Sequence, residues 1–90
     1  MDNRETMYYL LEEMIDSASR NNKQRVRRLN SIYDSLVDKT YSDPPTDLDL
    51  KYDNCRASCV VSFSMPWMRD KFLLDATMKF SSIPKPGKKL

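Results

Sequence analysis

The chain has 90 residues and a net charge of +2, so it is long enough for one small domain and carries too little net charge to indicate nucleic acid by itself. Its 40% hydrophobic and 31% charged residues are typical of a globular chain and exclude a disordered one. No apolar run approaches the roughly 20 residues that span a bilayer. The N-terminus also lacks a basic stretch followed by an apolar one, so we predict no signal peptide and a cytoplasmic location.

Charge is distributed in blocks along the chain. Residues 1–16 are mostly acidic, 20–28 contain five bases and no acid, 34–53 are acidic again, and the chain is basic from 54 onward. Segregated charge of this kind indicates surfaces that bind a partner.

The first segment predicts an amphipathic helix over 3–19. Asp2 followed three residues later by Glu5 has the form of a capping box at its start. The apolar stripe has helical spacing and consists of Met7, Leu11, Met14, Ile15 and Ala18.

A second apolar stripe begins at Val26 and predicts a helix over 22–39, capped by Asn21 or Asn22. We favour two helices in a hairpin, because a short monomeric chain needs its helices to cover each other. The alternative is one long helix over 4–39, which would favour a coiled-coil-like dimer.

After the proline-containing loop at 40–47, the apolar period changes from about 3.6 residues to 2. Alternating apolar and polar residues predict three strands, over 48–53, 55–65 and 71–81. Short connections between them indicate an antiparallel meander with one apolar face. Two helices packed on that face give an α+β fold.

The segment 65–80 also fits a helix. Ser64 would be its N-cap, and its apolar stripe would be Met68, Phe72, Ala76 and Phe80. The strand template accounts for more of the apolar positions, so a strand is the prediction.

We expect a single domain over 1–81. Residues 82–90 lack apolar periodicity and predict a basic, flexible C-terminal tail. Both N-terminal helices have stripes wide enough to contact a second subunit, so a homodimer is an alternative to a monomer.

Residue types needed for common catalytic and metal sites are scarce. The chain has no histidine and only one glycine, which removes the commonest general base and a glycine-rich phosphate loop. On one strand, Cys55 and Cys59 would lie about 13 Å apart, too far for a disulfide. The aspartates within 43–53 lack the glycine and final glutamate of a calcium loop. We predict no enzymatic activity, no cofactor and no metal site.

The basic segment is the first candidate binding surface. Its candidate nucleic-acid contacts are Arg20, Lys23, Gln24, Arg27 and Arg28. Bases at helical spacing can follow a phosphate backbone, and amide side chains can reach base edges. The alternative is neutralisation by the acidic first helix, because Asp16 and Arg20 have the i, i+4 spacing of an ion pair.

The second candidate surface is the turn between the last two predicted strands, which contains Pro66, Trp67, Met68 and Arg69. Trp, Met and Arg are enriched at protein interfaces, and Trp and Arg at their energetic hot spots. Tyr8 and Tyr9 lie on either side of the first apolar stripe, so at least one should face outward and extend the contact surface. The alternative is that Trp67 folds back over the core.

These patterns predict a small non-enzymatic regulatory or inhibitory protein that binds a larger macromolecule, with another protein as the leading partner. The alternative is a nucleic-acid-binding regulator that uses the 20–28 face. No membrane partner is expected. Small domains without catalytic residues are often encoded by phages or viruses, so such an origin is one expectation.

Overall fold

The computed structural model describes residues 2–86, and its regular structure is helical. Four α-helices follow each other along the chain: α1 is Asn3–Ser19, α2 is Lys23–Thr40, α3 is Asp47–Ser64 and α4 is Arg69–Ser81. A short 3₁₀ turn, Pro66–Met68, directly precedes α4. No residue from 2 to 86 lies in a strand.

The N-terminal segment forms two helices, as the sequence predicts, and the single long helix is wrong. The Asp2 side chain accepts a hydrogen bond from the backbone N–H of Glu5 at 2.7 Å, which caps α1. The Asn22 side chain caps α2 by accepting from the N–H of Arg25 at 3.2 Å. Asn21 has a φ of 59°, a left-handed conformation that asparagine tolerates better than most residues.

The predicted α+β fold is wrong, because the segments predicted as strands at 48–53, 55–65 and 71–81 are helical. α3 begins with a complete capping box. The Thr46 hydroxyl accepts from the N–H of Asp49 at 3.1 Å, and the Asp49 carboxylate accepts from the N–H of Thr46 at 3.0 Å.

The buried face of α3 explains the error. Its buried residues recur every three or four positions and are Asp49, Tyr52, Cys55, Ser58, Cys59 and Ser62. Three of them are polar, whereas the apolar Leu50 is exposed on the opposite side. The apolar residues of α3 therefore do not show the 3.6-residue period that marks an amphipathic helix.

The helical alternative for 65–80 is correct in α4, although its cap is not. Ser64 is the last residue of α3, and Met68 occupies the N-cap position of α4 without a side-chain hydrogen bond. Ala76 of the alternative stripe is fully buried, with Phe72 and Phe80 partly buried beside it.

The two cysteines lie one helical turn apart on α3, and both thiols are free and buried. The prediction that both cysteines lie on one strand is therefore wrong. Ile83, which follows the predicted domain boundary at residue 81, is buried and packs into the core. Residues 87–90 of the predicted tail lie outside the described residues.

The helices form two hairpins, α1–α2 and α3–α4. α1 and α3 each contact all three other helices and occupy the centre of the bundle. α2 and α4 lie on opposite sides and do not touch each other. The bundle measures 38 × 25 × 24 Å. Its largest fully buried hydrophobic side chains are those of Met7, Leu11, Met14, Tyr33 and Tyr52.

Two arginines connect the hairpins at opposite ends of α1. Arg4, in the first turn of α1, is bonded to the buried carboxylate of Asp49 in α3. At the other end, the Arg69 guanidinium donates to the carbonyl oxygens of Ala18 at 2.6 Å and Ser19 at 3.3 Å. The last carbonyls of a helix have no partner within it, so a cation there satisfies them and opposes the negative end of the helix dipole.

The carboxyl group of Asp49 is the most strongly engaged acid in the fold. Burial alone would raise its pKa, but hydrogen bonds from the N–H of Ser42, from Arg4 and from Thr46 outweigh burial and lower the pKa to about 2. A carboxyl whose pKa is lowered on folding stabilises the fold above its unfolded pKa of about 4. That stabilisation is lost as the pH falls from about 4 to about 2.

We expect Asp49→Asn to lower the free energy of unfolding at neutral pH by about 2 kcal/mol, which corresponds to the lowered pKa of this fully buried carboxyl. Urea unfolding over a pH series measures the effect, and most of the difference from wild type should disappear by the lowest pH. The exposed Asp47 in the same helical turn gives the control Asp47→Asn. An equal loss of stability at acid and neutral pH would contradict this role for Asp49.

Candidate functional site

The two candidate surfaces predicted from the sequence lie at the same end of the bundle. α1 ends and α2 begins there, and the 3₁₀ turn before α4 is held there by the contact of Arg69 with Ala18 and Ser19. We call this the basic end; its residues are Arg20, Lys23, Arg25, Arg27, Arg28, Trp67, Arg69 and Lys71. The opposite end contains the 41–46 loop and the acidic start of α3. The basic block 20–28 thus lies at one end of the bundle, and the acidic residues Asp43, Asp47 and Asp49 lie at the other.

Trp67 is the most exposed large hydrophobic residue of the described chain, with 76% of its surface accessible. The alternative in which it covers the core is therefore wrong. The turn that carries it joins two helices, not two strands. The N–H of Met68 donates to the carbonyl of Met65 at 2.9 Å, and Arg69 anchors the other side of the turn to α1. The indole is consequently presented from a fixed backbone.

The tyrosines of α1 do not extend this surface. Tyr8 is 8% exposed and packs against Phe80, with 4.7 Å between ring centroids. Tyr9 is partly buried and meets Tyr8 edge to face at 5.4 Å. Both lie about 15 Å along α1 from Ala18, where Arg69 binds. They belong to the core between α1 and α4.

The predicted neutralisation of the basic segment applies to some of its cations only. Arg25 pairs with Glu13 at 3.2 Å, and Arg20 pairs with Asp16 at 3.3 Å. Within residues 2–86, three bases of the segment have no ion pair: Lys23, Arg27 and Arg28.

These cations are placed unfavourably for the stability of α2. Lys23 and Arg25 lie in the first turn, which contains no acid, and cations there face the positive end of the helix dipole. Lys23 and Arg27 also repel each other at i, i+4 by about 0.2–0.5 kcal/mol. Neither the position of Lys23 and Arg25 in the first turn nor the spacing of Lys23 and Arg27 stabilises α2.

A cleft opens between α2 and α3 beside these cations. It has a volume of about 280 Å³ and is lined by Lys23, Val26, Arg27, Asn30, Val60, Phe63 and Ser64. Val26 forms a buried floor, and Val60 and Phe63 are partly buried walls. We call this the α2–α3 cleft. Sequence reasoning missed it, because its α3 residues were assigned to a strand.

A second surface missed by sequence reasoning lies on α4. Leu74 is 62% exposed and Met78 is 64% exposed, and both border a shallow apolar depression with Lys71. We call these three residues the α4 face. Lys71 also borders the depression around Trp67, so the two surfaces are continuous. On the predicted strand, Leu74, Ala76 and Met78 would share the core-facing side. In the helix, Leu74 and Met78 lie on the side opposite Ala76.

Titratable groups in the interior have structural roles. A hydrogen bond with Cys59, together with burial, raises the pKa of the Cys55 thiol well above its usual range, so this thiol stays protonated and unreactive. Burial likewise raises the pKa of Tyr41 to about 12.

Among the described residues, no three His, Cys, Asp or Glu side chains are grouped so that they could hold a metal ion. None of the helices formed by residues 2–86 is both long and apolar enough to cross a membrane.

Comparison with known proteins finds no matching family, no similar curated protein and no similar solved structure. The function must therefore be inferred from the geometry and chemistry of the basic end.

Because Trp67 is the only tryptophan, its fluorescence reports on this end directly. We expect acrylamide to quench the native protein nearly as strongly as the unfolded protein. Trp67→Ala should change the free energy of unfolding by less than about 0.5 kcal/mol, since an exposed side chain contributes little to the core. The control Leu11→Ala removes a fully buried side chain and should cost about 2–5 kcal/mol. Strong protection of native Trp67 from acrylamide would refute its exposure.

Proposed function

We propose that this is a small non-enzymatic regulatory or inhibitory protein that binds an acidic surface of a larger protein through its basic end, with Trp67 as the central anchor. The observation that supports the proposal most is the exposed indole of Trp67 on a fixed turn. The same end of the bundle carries Lys23, Arg27 and Arg28, which have no ion pair within residues 2–86.

An exposed tryptophan on a fixed turn is well suited to drive association. A Trp side chain can bury about 150–250 Å², and few other residues contribute as much at the centre of a protein interface. The backbone of the 3₁₀ turn is already held by its contact with α1, so little entropy is lost when Trp67 is covered. The surrounding cations would accelerate the approach of an acidic partner and select its orientation.

The α4 face favours a protein partner over nucleic acid. Leu74 and Met78 add exposed apolar surface on α4. Lys71 borders both this surface and the depression around Trp67, and so connects the two. Exposed aliphatic side chains gain nothing from a phosphate backbone, whereas they pack readily against apolar side chains of another protein.

Nucleic acid is the second candidate partner, because Lys23, Arg27 and Arg28 lack ion pairs within the described part of the chain and Trp67 is free to stack on a base. Homodimerisation, a cytoplasmic location and a phage or viral origin stay predictions from the sequence.

The proposal is tested by capturing partners from a lysate of the source cells with immobilised wild type, Trp67→Ala and Leu50→Ala. Leu50 is a matched control because it is 47% exposed at the opposite end of the bundle. We expect quantitative mass spectrometry to show an acidic protein whose recovery falls about tenfold or more with Trp67→Ala, as for a hot-spot residue, and stays unchanged with Leu50→Ala.

Equal recovery of every protein by all three baits would contradict the role of Trp67. A parallel titration with an oligo-dT strand over a salt series addresses the second candidate. Tight binding whose salt dependence corresponds to the neutralisation of several phosphates would favour nucleic acid as the partner instead. In that case the Lys23→Gln/Arg27→Gln double variant should bind more weakly and with a smaller salt dependence.

A further inference from the structure

The α2–α3 cleft combines an apolar hollow with two cations at its rim, Lys23 and Arg27, that form no ion pair with any other described residue. We propose that this cleft binds an apolar side chain flanked by carboxylates, within an acidic segment of the protein partner. This inference rests on the proposed function and adds to it the chemistry of the segment and the place where it binds.

The interior of the cleft suits a single apolar side chain. Val26 closes the bottom with 2% of its surface exposed, and Val60 and Phe63 remain partly accessible on the α3 side. α2 and α3 pack against each other much less extensively than the two helices of either hairpin, which leaves a groove between them. A volume of about 280 Å³ is at the lower limit of pockets that take small ligands, roughly 300–1,000 Å³, and is adequate for one inserted side chain.

The rim of the cleft selects negative charge. Lys23 and Arg27 are one helical turn apart on α2, which places their Cβ atoms about 5–6 Å from each other. Both side chains are exposed, and neither has an ion pair among residues 2–86. Carboxylates on either side of the inserted side chain would pair with these cations and relieve their mutual repulsion. Asn30 and Ser64 supply further hydrogen-bonding groups at the edge.

A nucleic-acid strand fits this arrangement less well. Its phosphates would bind Lys23 and Arg27 but leave the apolar hollow unfilled, and two of the three apolar lining residues are aliphatic valines that offer no stacking surface. An acidic peptide with an apolar side chain satisfies both parts of the cleft. Ser64 lines the cleft and Pro66 begins the 3₁₀ turn, so the cleft ends close to the turn that carries Trp67.

The test is an NMR titration of the ¹⁵N-labelled full chain with three probes. The first is a synthetic peptide with one phenylalanine between glutamates, the second replaces that phenylalanine with serine, and the third is an oligo-dT strand. We expect the phenylalanine peptide to shift the amide signals of Val26, Val60 and Phe63, and to bind about fivefold or more tightly than the serine peptide because of the buried ring.

Two double variants separate a specific site from general attraction. Lys23→Gln/Arg27→Gln removes the cations of the cleft, and we expect it to weaken the phenylalanine peptide about tenfold. Arg25→Gln/Arg28→Gln removes the same charge from the same helix outside the cleft, and we expect it to weaken binding less than about threefold. All four side chains are exposed, so both variants should keep the wild-type fold.

Equal weakening by the two double variants would overturn the inference, as would equal affinity for the two peptides or the absence of shifts at the cleft valines and Phe63. Shifts confined to the Trp67 turn would overturn the cleft as the site while leaving the proposed function standing. Tighter binding of oligo-dT at the same residues would overturn both.

Discussion

Arg69 reaches from the first residue of α4 to the last carbonyl oxygens of α1, and the position of the candidate site depends on this contact. Its guanidinium donates to the carbonyl oxygens of Ala18 and Ser19 at the C-terminus of α1, where the last carbonyls have no partner within the helix. The contact joins residues 50 and 51 positions apart in the chain and brings the turn of one hairpin to the turn of the other. Trp67, two residues before Arg69, is thereby placed at the end of the bundle where the basic segment begins.

The sequence predicts the first hairpin well, because large apolar side chains occupy one face of α1 and α2 and cap residues mark both starts. It does not predict α3 and α4. In α3 the buried face includes Asp49, which is held by hydrogen bonds, and small serines that fit close to neighbouring helices. In α4 the buried centre is the small Ala76, whereas Leu74 and Met78 face solvent. An apolar pattern assigns such residues to the wrong face, and an apparent period of 2 results.

The candidate site, too, can be predicted from the sequence only in part. Residue type alone marks Trp67 and the basic segment as candidates, since Trp and Arg are enriched at the energetic hot spots of protein interfaces. Their proximity is not predictable, because it depends on the contact of Arg69 with a distant helix. The α2–α3 cleft and the α4 face need the correct secondary structure before their residues can be grouped. Tyr8 shows the opposite error, because an aromatic ring beside the apolar stripe turned out to be core.

Paramagnetic relaxation tests most directly whether Trp67 and the basic segment share one end of the bundle. The native cysteines are fully buried, so a nitroxide can be attached at an introduced Lys23→Cys or, on the same helix about 22 Å away, at Asp38→Cys. The single indole N–H signal of Trp67 is the reporter. A label at position 23 should broaden that signal strongly and a label at position 38 only weakly. Equal broadening from both, or stronger broadening from position 38, would contradict the arrangement on which the proposed binding surface depends.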